Sequence, residues 1–449
     1  MQGFRRQFEQ FRRVFCAFPG GFRGCCNDCS VAQTATVALI DGEHHPSVVR
    51  DALDRLERER GLTSVVFCGG EEKTGPAVLE AASEHYGRPI ELGDPGQALR
   101  AAAAGAAGGS VVDLADEPVV PPARKLRLAA LALHLGLAYE APGMRLDPPP
   151  YADVSFDGPK LAVIATGKRT GKTAVAGHWA RMLQESGGRP VIVSMGRGGP
   201  PEPQLAPRGI GLDELLEIAR AGRHAASDYL EDAVLAGVGS VGCRRIGGGL
   251  AGEPYDSNVA AGAALAIEQG PSAIVFEGSG SCIPPVVVDR TVCLVGDVDD
   301  ALRELGPYRL MRADLVLLMR DASSSPLATD IESLTAGRVG RWELRPEPAE
   351  RVPEGARVAL FTTAVDRCEG VDPVVVSTNL ARRTLLEADL ERAREERCDV
   401  YLTELKAAAI DTVAMRAREV GARVVFVRNR PVGVDLDLDA ELMRLHDDA

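Results

Sequence analysis

The stretch KLAVIATGKRTGKTAVAGHWARMLQ, residues 160–184, decides the fold. Its first seven residues form an apolar run with strand character, and from Lys172 onward the pattern is helical. Between them lies a loop carrying Gly167, Gly171 and the cations Lys168, Arg169 and Lys172. Strand, glycine loop and helix in that order are what a phosphate-binding loop needs. Loop amides and the unpaired N–H groups of the helix start surround the phosphates, where the helix dipole also favours negative charge. We therefore expect Gly167, Lys168, Arg169, Thr170, Gly171, Lys172, Thr173 and Ala174 to bind a nucleotide. Lys172 is expected to reach the β- and γ-phosphates, and the Thr173 hydroxyl to ligate Mg²⁺. The usual spacing puts a glycine five residues before Gly171; Thr166 stands there and Gly167 comes one position late. The loop is a variant with its GKT core intact.

Outward from this loop the chain alternates strand and helix. Downstream apolar runs are RPVIVSM (189–195), SAIVFEG (272–278), DLVLLMR (314–320), RVALFTT (357–363), DPVVVST (372–378), DVYLTEL (399–405) and ARVVFVR (422–428). Upstream, TATVALIDG (34–42), TSVVFCGG (63–70) and SVVDLADEP (110–118) read as strands. The segments 46–61, 75–87 and 123–137 read as helices. Such alternation implies parallel sheets in an α/β protein. The expected division is an N-terminal extension over 1–35, disordered or loosely attached, and an N-terminal α/β domain over 36–150. A phosphate-loop NTPase-type domain, a parallel sheet flanked by helices, follows over 151–340, and a C-terminal α/β section continues it over 341–449. The Pro-rich segment 144–159 marks the first boundary. RWELRPEPAERVPEGAR (341–357) reads as a hinge before a C-terminal section, or else that section's strands simply extend the same sheet.

A chain of 449 residues is too long for one core and suits two or three domains. Only 4% of residues are aromatic while Ala, Val, Gly and Leu abound, which fits layered α/β packing rather than a β-sandwich. A formal charge of −13 argues against a nucleic-acid-coating surface, so any polyanion must meet a local cationic pocket. No apolar run approaches the length of a membrane span, and a soluble cytoplasmic protein is expected. The ten cysteines make no disulfide framework in so long a chain. Cys68, Cys282 and Cys293 sit in apolar surroundings as small hydrophobes. Cys16, Cys25, Cys26 and Cys29 crowd the start, but CCNDC matches no paired CxxC site. MQGFRRQFEQFRRVF has Phe4, Phe8, Phe11 and Phe15 at helical spacing among arginines, and the plainer reading is an extension outside the fold.

There are 45 arginines but six lysines, Lys73, Lys125, Lys160, Lys168, Lys172 and Lys406. A surviving lysine is thus enriched where a compact ammonium is needed. Lys125 and Lys160 are expected on a solvated face.

Other signals cluster at strand ends, where open parallel sheets bind ligands. AIVFEGSGS delivers Glu277 beside a glycine turn, within reach of the metal on Thr173. VSMGRGGPPEP holds Arg197 next to Gly198 and Gly199, an anion site in form, with Glu202 either a second metal carboxylate or loop surface. GCRRIGGGLAGEP carries Arg244 and Arg245 against glycines that suit an anion nest. In SDYLEDA, Asp228 and Tyr229 either position substrate or begin a helix. His44, His45 and Asp41 are a weaker pointer to a site in the first domain, more in keeping with structure than chemistry.

TGKRTGKTAVAGHWARML, PVIVSMGRGGPPEP, SDYLEDAV with GCRRIGGGLAGEP, and TELKAAAIDTVA together resemble the cyclic 2,3-diphosphoglycerate synthetase family, over about residues 36 to 432. The variant loop with FEGSGS is also similar, more broadly, to dethiobiotin synthetase and related ligases. The resemblance implies an ATP- and Mg²⁺-dependent ligase that closes the two phosphates of 2,3-diphosphoglycerate into a cyclic anhydride, releasing ADP and phosphate. It further implies Lys172, Lys168, Arg197 and Lys406 at the chemistry. Arg169, Arg197, Gly198, Gly199, Asp228, Tyr229, Arg244, Arg245 and Lys406 would meet substrate, and Thr173 and Glu277 the metal. A homodimer without nucleic-acid or membrane partners is expected. Rival readings are another ligase or kinase of a small anion on this scaffold, or a nucleotide-dependent switch that delivers metal.

Overall fold

The computed structural model describes residues 35–320 and 328–449. Two sheets organise it. The first has the order β2-β1-β3-β4-β5, built from β1 (Thr36–Ile40), β2 (Leu62–Phe67), β3 (Ser110–Asp113), β4 (Ala138–Ala141) and β5 (Met144–Leu146). It is parallel except for the edge hairpin of β4 with β5. Helix α1 (Pro46–Arg60) starts on a proline behind the His45 cap and ends at Gly61 with φ +79°, the left-handed stop that glycine provides. Helix α2 (Pro122–His134) carries this domain's apolar face toward the second sheet. The segment expected as one helix over 75–87 is instead two short helices, Pro76–Glu80 and Ala82–Tyr86, broken at Ala81.

The second sheet follows the order β10-β9-β7-β11-β6-β12-β13-β14-β18-β17-β15-β16, with β8 paired on β9. Its first half comprises β6 (Lys160–Ala165), β7 (Pro190–Gly196), β8 (Gln204–Ala206), β9 (Gly239–Ile246), β10 (Asp256–Ser257), β11 (Ala273–Glu277), β12 (Arg290–Val295) and β13 (Leu315–Met319). The central strands β7, β11, β6, β12 and β13 are parallel and buried on both faces, so they read as unbroken apolar runs. Helix α3 (Lys172–Glu185) covers one face, packing Trp179, Ala180 and Leu183 over Leu161, Val163 and Val275. The opposite face packs through Ile164, Val193 and Phe276 into a core continuous with the first domain, by way of α2 and Tyr308.

The second half comprises β14 (Arg338–Pro348), β15 (Val358–Phe361), β16 (Val375–Ser377), β17 (Val400–Glu404) and β18 (Arg423–Gly433). Strand β14 runs parallel to β13 but antiparallel to β18, from Trp342 opposite Gly433 to Pro348 opposite Val427. The segment 341–357 is therefore no hinge through residue 348: it is the long strand that joins the halves. Because β17, β15 and β16 run parallel to β18, this half points opposite to the first. Residues that follow β15, β16 and β17 nevertheless come to the same cavity as the phosphate loop. Residues 1–34, with the four clustered cysteines and the Phe-spaced segment, lie outside the described residues.

Candidate functional site

The loop after β6 closes on itself through Lys172. Its ammonium donates to the Gly167 carbonyl at 3.1 Å and faces the Thr170 hydroxyl at 3.5 Å. Burial lowers its pKa, while Glu277 acts to raise it. Gly171 holds φ +84°, and a Cβ there would stand 2.6 Å from the Trp342 ring, so only glycine lets the loop sit on β14. Arg169 also takes a left-handed φ, +58°.

The next residue makes the decisive contact. Thr173, in the first turn of α3, donates its hydroxyl to Glu277 at 2.6 Å, and Ser194 at the end of β7 donates to the other carboxylate oxygen at 2.9 Å. Two neighbouring parallel strands and the helix that follows β6 thus deliver a hydroxyl, a carboxylate and a hydroxyl to one point. Burial and the nearby Asp228 raise the Glu277 pKa, against the two hydroxyls and Lys172. Beside it, on α4 (Asp228–Ala236), both oxygens of the buried Asp232 lack a hydrogen-bond partner among the described residues. Burial, reinforced by Glu277, pushes that carboxyl well above the usual range.

Lys172, Thr173, Asp232 and Glu277 line a cavity of about 950 Å³. Residues 168–174, Arg197, Asp228, Glu277 and Lys406 all face it. Gly167 contributes through its carbonyl instead. Lys406, after β17, lies 3.6 Å from Glu231, whose pKa burial raises to about 7 against the pull of Lys406. The second half of the sheet adds Thr363, Arg367, Arg382 and Glu404 to the wall. Arg309, on helix α5 (Gly306–Met311), braces the glycine turn after β11 by donating to Ser281 at 2.7 Å and to Leu250 at 3.2 Å.

Several expected residues fall elsewhere. Arg244 and Arg245, expected in an anion nest, lie near the end of β9, and neither lines the cavity. Arg245 is instead committed to the carbonyls of Gly247 and Ser279. Gly198, Gly199 and Tyr229 line a separate hollow of about 120 Å³ that meets the main cavity at Asp228. Glu202 is exposed and lines neither space. Asp228 begins α4, as the capping alternative held. His45 caps α1, and His44 bonds Asp41 at 2.9 Å, so both have structural roles. Lys125 and Lys160 are not on a solvated face. Lys125 reaches the buried Asp113 at 2.7 Å and the Ala115 carbonyl at 2.6 Å, and Lys160 meets Asp289 at 3.5 Å and the Phe156 carbonyl at 3.1 Å.

The sequence reading missed Ser194, Glu231, Asp232, Arg367, Arg382 and Glu404. For Glu231 and Asp232 a signal existed: they stand three and four residues after Asp228, on the same helix face.

Comparison with known proteins agrees with this geometry. Family models described as the N-terminal, P-loop and C-terminal domains of cyclic 2,3-diphosphoglycerate synthetase match residues 35–147, 160–334 and 348–430. The synthetase of Rubrobacter xylanophilus is 44% identical over 91% of this chain and 96% of its own. That of Thermococcus gammatolerans is 40% identical over 89% and 94%, and that of Methanothermobacter thermautotrophicus 35% identical over 89% and 93%. With all three domains matched in order and the loop, the Glu277 strand end and the C-terminal wall meeting in one cavity, this chain belongs to the cyclic 2,3-diphosphoglycerate synthetase family.

Proposed function

We propose that the chain catalyses ATP- and Mg²⁺-dependent closure of 2,3-diphosphoglycerate into its cyclic anhydride, releasing ADP and phosphate. The observation that carries this reading is the meeting of Lys172, Thr173, Glu277 and Arg197 in one cavity, in a chain of that family. Two polyanions must approach each other there, and they repel unless fixed cations compensate.

The residues present fit a magnesium ion. Among the described residues no three His, Cys, Asp or Glu side chains form a protein cage. A hard cation that keeps waters and phosphate oxygens needs only one or two carboxylates, and the donor set of Thr173 and Glu277, backed by the unpartnered Asp232, is of that kind. Thr173 and Glu277 would hold the ion, and when bound it supplies charge neutralisation across the nucleotide phosphates.

Lys172 holds the nucleotide phosphates and offsets charge that develops on them. Arg197 and Lys406 orient the substrate, with Lys168 and Arg169 over the loop. One substrate phosphate oxygen then attacks the γ-phosphorus in line, forming a mixed anhydride as the bond to ADP breaks. The neighbouring phosphate attacks the substrate phosphorus, forming the ring anhydride as inorganic phosphate leaves. No side-chain nucleophile is required, so the protein contributes positioning and charge. In this reading residues 36–150, 151–340 and 341–449 act as successive sections of a cytoplasmic homodimer. Phosphorus NMR of an incubation with ATP, Mg²⁺ and 2,3-diphosphoglycerate tests it: a cyclic anhydride signal is expected with the native chain and none with Lys172→Ala. Product formed equally by Lys172→Ala would refute the assignment.

A further inference from the structure

The wall opposite the phosphate loop carries cations that nothing above uses. Arg367 lies on the loop after β15 and Arg382 on the loop after β16, and both line the 950 Å³ cavity. Neither guanidinium has a hydrogen bond or ion pair to any described residue; Arg382 is held by its backbone alone, its amide donating to the Asn379 carbonyl at 2.7 Å. That is uncommon in this part of the chain. Arg345, Arg357, Arg383, Arg392, Arg394, Arg416, Arg418, Arg423, Arg428 and Arg430 are all paired with carboxylates. Arg351 and Arg397 are unpaired as well, but neither faces the cavity.

Two carboxylates nearby do not neutralise the pair, because both are already engaged. Glu404 accepts from the Thr363 amide and hydroxyl at 2.7 Å each, and Glu231 faces Lys406. On the facing wall Arg169 and Arg197 are likewise unpartnered among the described residues and line the same space. In a chain of net charge −13, four free guanidinium groups turned into one cavity mark it as a place for anions.

We propose that Arg367 and Arg382 form an anion subsite on the C-terminal wall that binds the phosphates of a small polyphosphorylated metabolite, across the cavity from the nucleotide. The planar fork of each guanidinium suits two phosphate oxygens at once. This rests on the reading above only in placing the nucleotide on the loop after β6. The second half of the sheet thereby adds its own anion contacts to those that Arg197 offers from the first half.

The test is calorimetric titration of the full chain, saturated with ADP and Mg²⁺, using 2,3-diphosphoglycerate and then inorganic pyrophosphate as probes. The Arg367→Gln and Arg382→Gln variants are titrated beside the native chain. Each exchange is expected to weaken binding of the phosphorylated probe at least tenfold and to leave ADP affinity within twofold. If the native chain binds pyrophosphate but not 2,3-diphosphoglycerate and the variants lose it, the subsite stands and the substrate assignment falls. Native and variant chains behaving alike toward both probes would overturn the subsite. So would loss of ADP affinity in the variants, which would assign the arginines to the nucleotide.

Discussion

Exchanging Gly171 for alanine tests how the phosphate loop is held. Two costs can be worked from the structure. A φ of +84° costs an alanine about 1 kcal/mol. The new methyl would stand 2.6 Å from Cη2 of Trp342 and 3.3 Å from Leu344, and Trp342 is fully buried, so overpacking adds roughly 1–3 kcal/mol. The cheapest escape is for the loop to lift off β14, which carries its N–H donors away from the phosphates. The sum, about 2–4 kcal/mol, corresponds to a roughly 30- to 1,000-fold loss of ADP affinity. Trp342→Phe removes the ring edge that clashes and leaves φ untouched. The double variant should therefore recover all but the backbone part, roughly a fivefold loss. Calorimetric ADP titration of the four proteins completes the cycle. Additive effects, or ADP affinity unchanged in Gly171→Ala, would refute the idea that β14 seats the loop.

Glu277→Gln keeps an oxygen for Thr173 or Ser194 but loses the charge. ADP should bind it normally without metal yet lose at least tenfold of the tightening that Mg²⁺ gives, measured by paired titrations; full retention of that tightening would place the ion elsewhere. Glu231 titrates near 7 in the folded chain against an ordinary 4.5, so the fold takes up its proton first. Relative to Glu231→Gln, the native chain should lose about 3 kcal/mol of stability as pH rises from 4.5 to 7, seen by urea unfolding at stepped pH; identical pH slopes would count against a buried, raised carboxyl. Lys125→Met strands Asp113 with only the Tyr139 hydroxyl and the Ala115 amide. It should cost about 3–5 kcal/mol in thermal unfolding, partly restored by adding Asp113→Asn, and a loss under 1 kcal/mol would show the ion pair to be dispensable.

The parallel strands were legible because burial on both faces leaves an unbroken apolar signature, and the phosphate loop because a short peptide carries its whole chemistry. Glu277 could be placed because a strand end is fixed by the strand before it. What failed was whatever depended on a distant partner. GSVGCRRI was not among the strands expected, because β9 sits toward the sheet edge and two arginines in a row hide its alternation. Residues 341–357 are rich in proline and charge, yet β14 is held by β13 on one side and β18 on the other. No local signal announces that pairing. Arg367 and Arg382 were invisible for the same reason: each is an ordinary loop arginine until the folded chain sets it on the wall of the cavity that the phosphate loop also lines.

The lysines show how composition and contact speak to each other. In a chain that uses arginine almost everywhere, Lys125 and Lys160 each reach a carboxylate and a backbone carbonyl, and Lys172 folds back on the Gly167 carbonyl. An ammonium donates in three tetrahedral directions from a single atom and fits such crowded acceptors, whereas a planar fork demands a wider, flatter partner. Such acceptors explain why the expectation of solvated faces failed for Lys125 and Lys160. They do not exclude arginine: buried Arg309 also serves backbone carbonyls, at Ser281 and Leu250, while Lys168 stands exposed on the cavity wall. Contact geometry, and not exposure alone, therefore accounts for three of the lysines kept here.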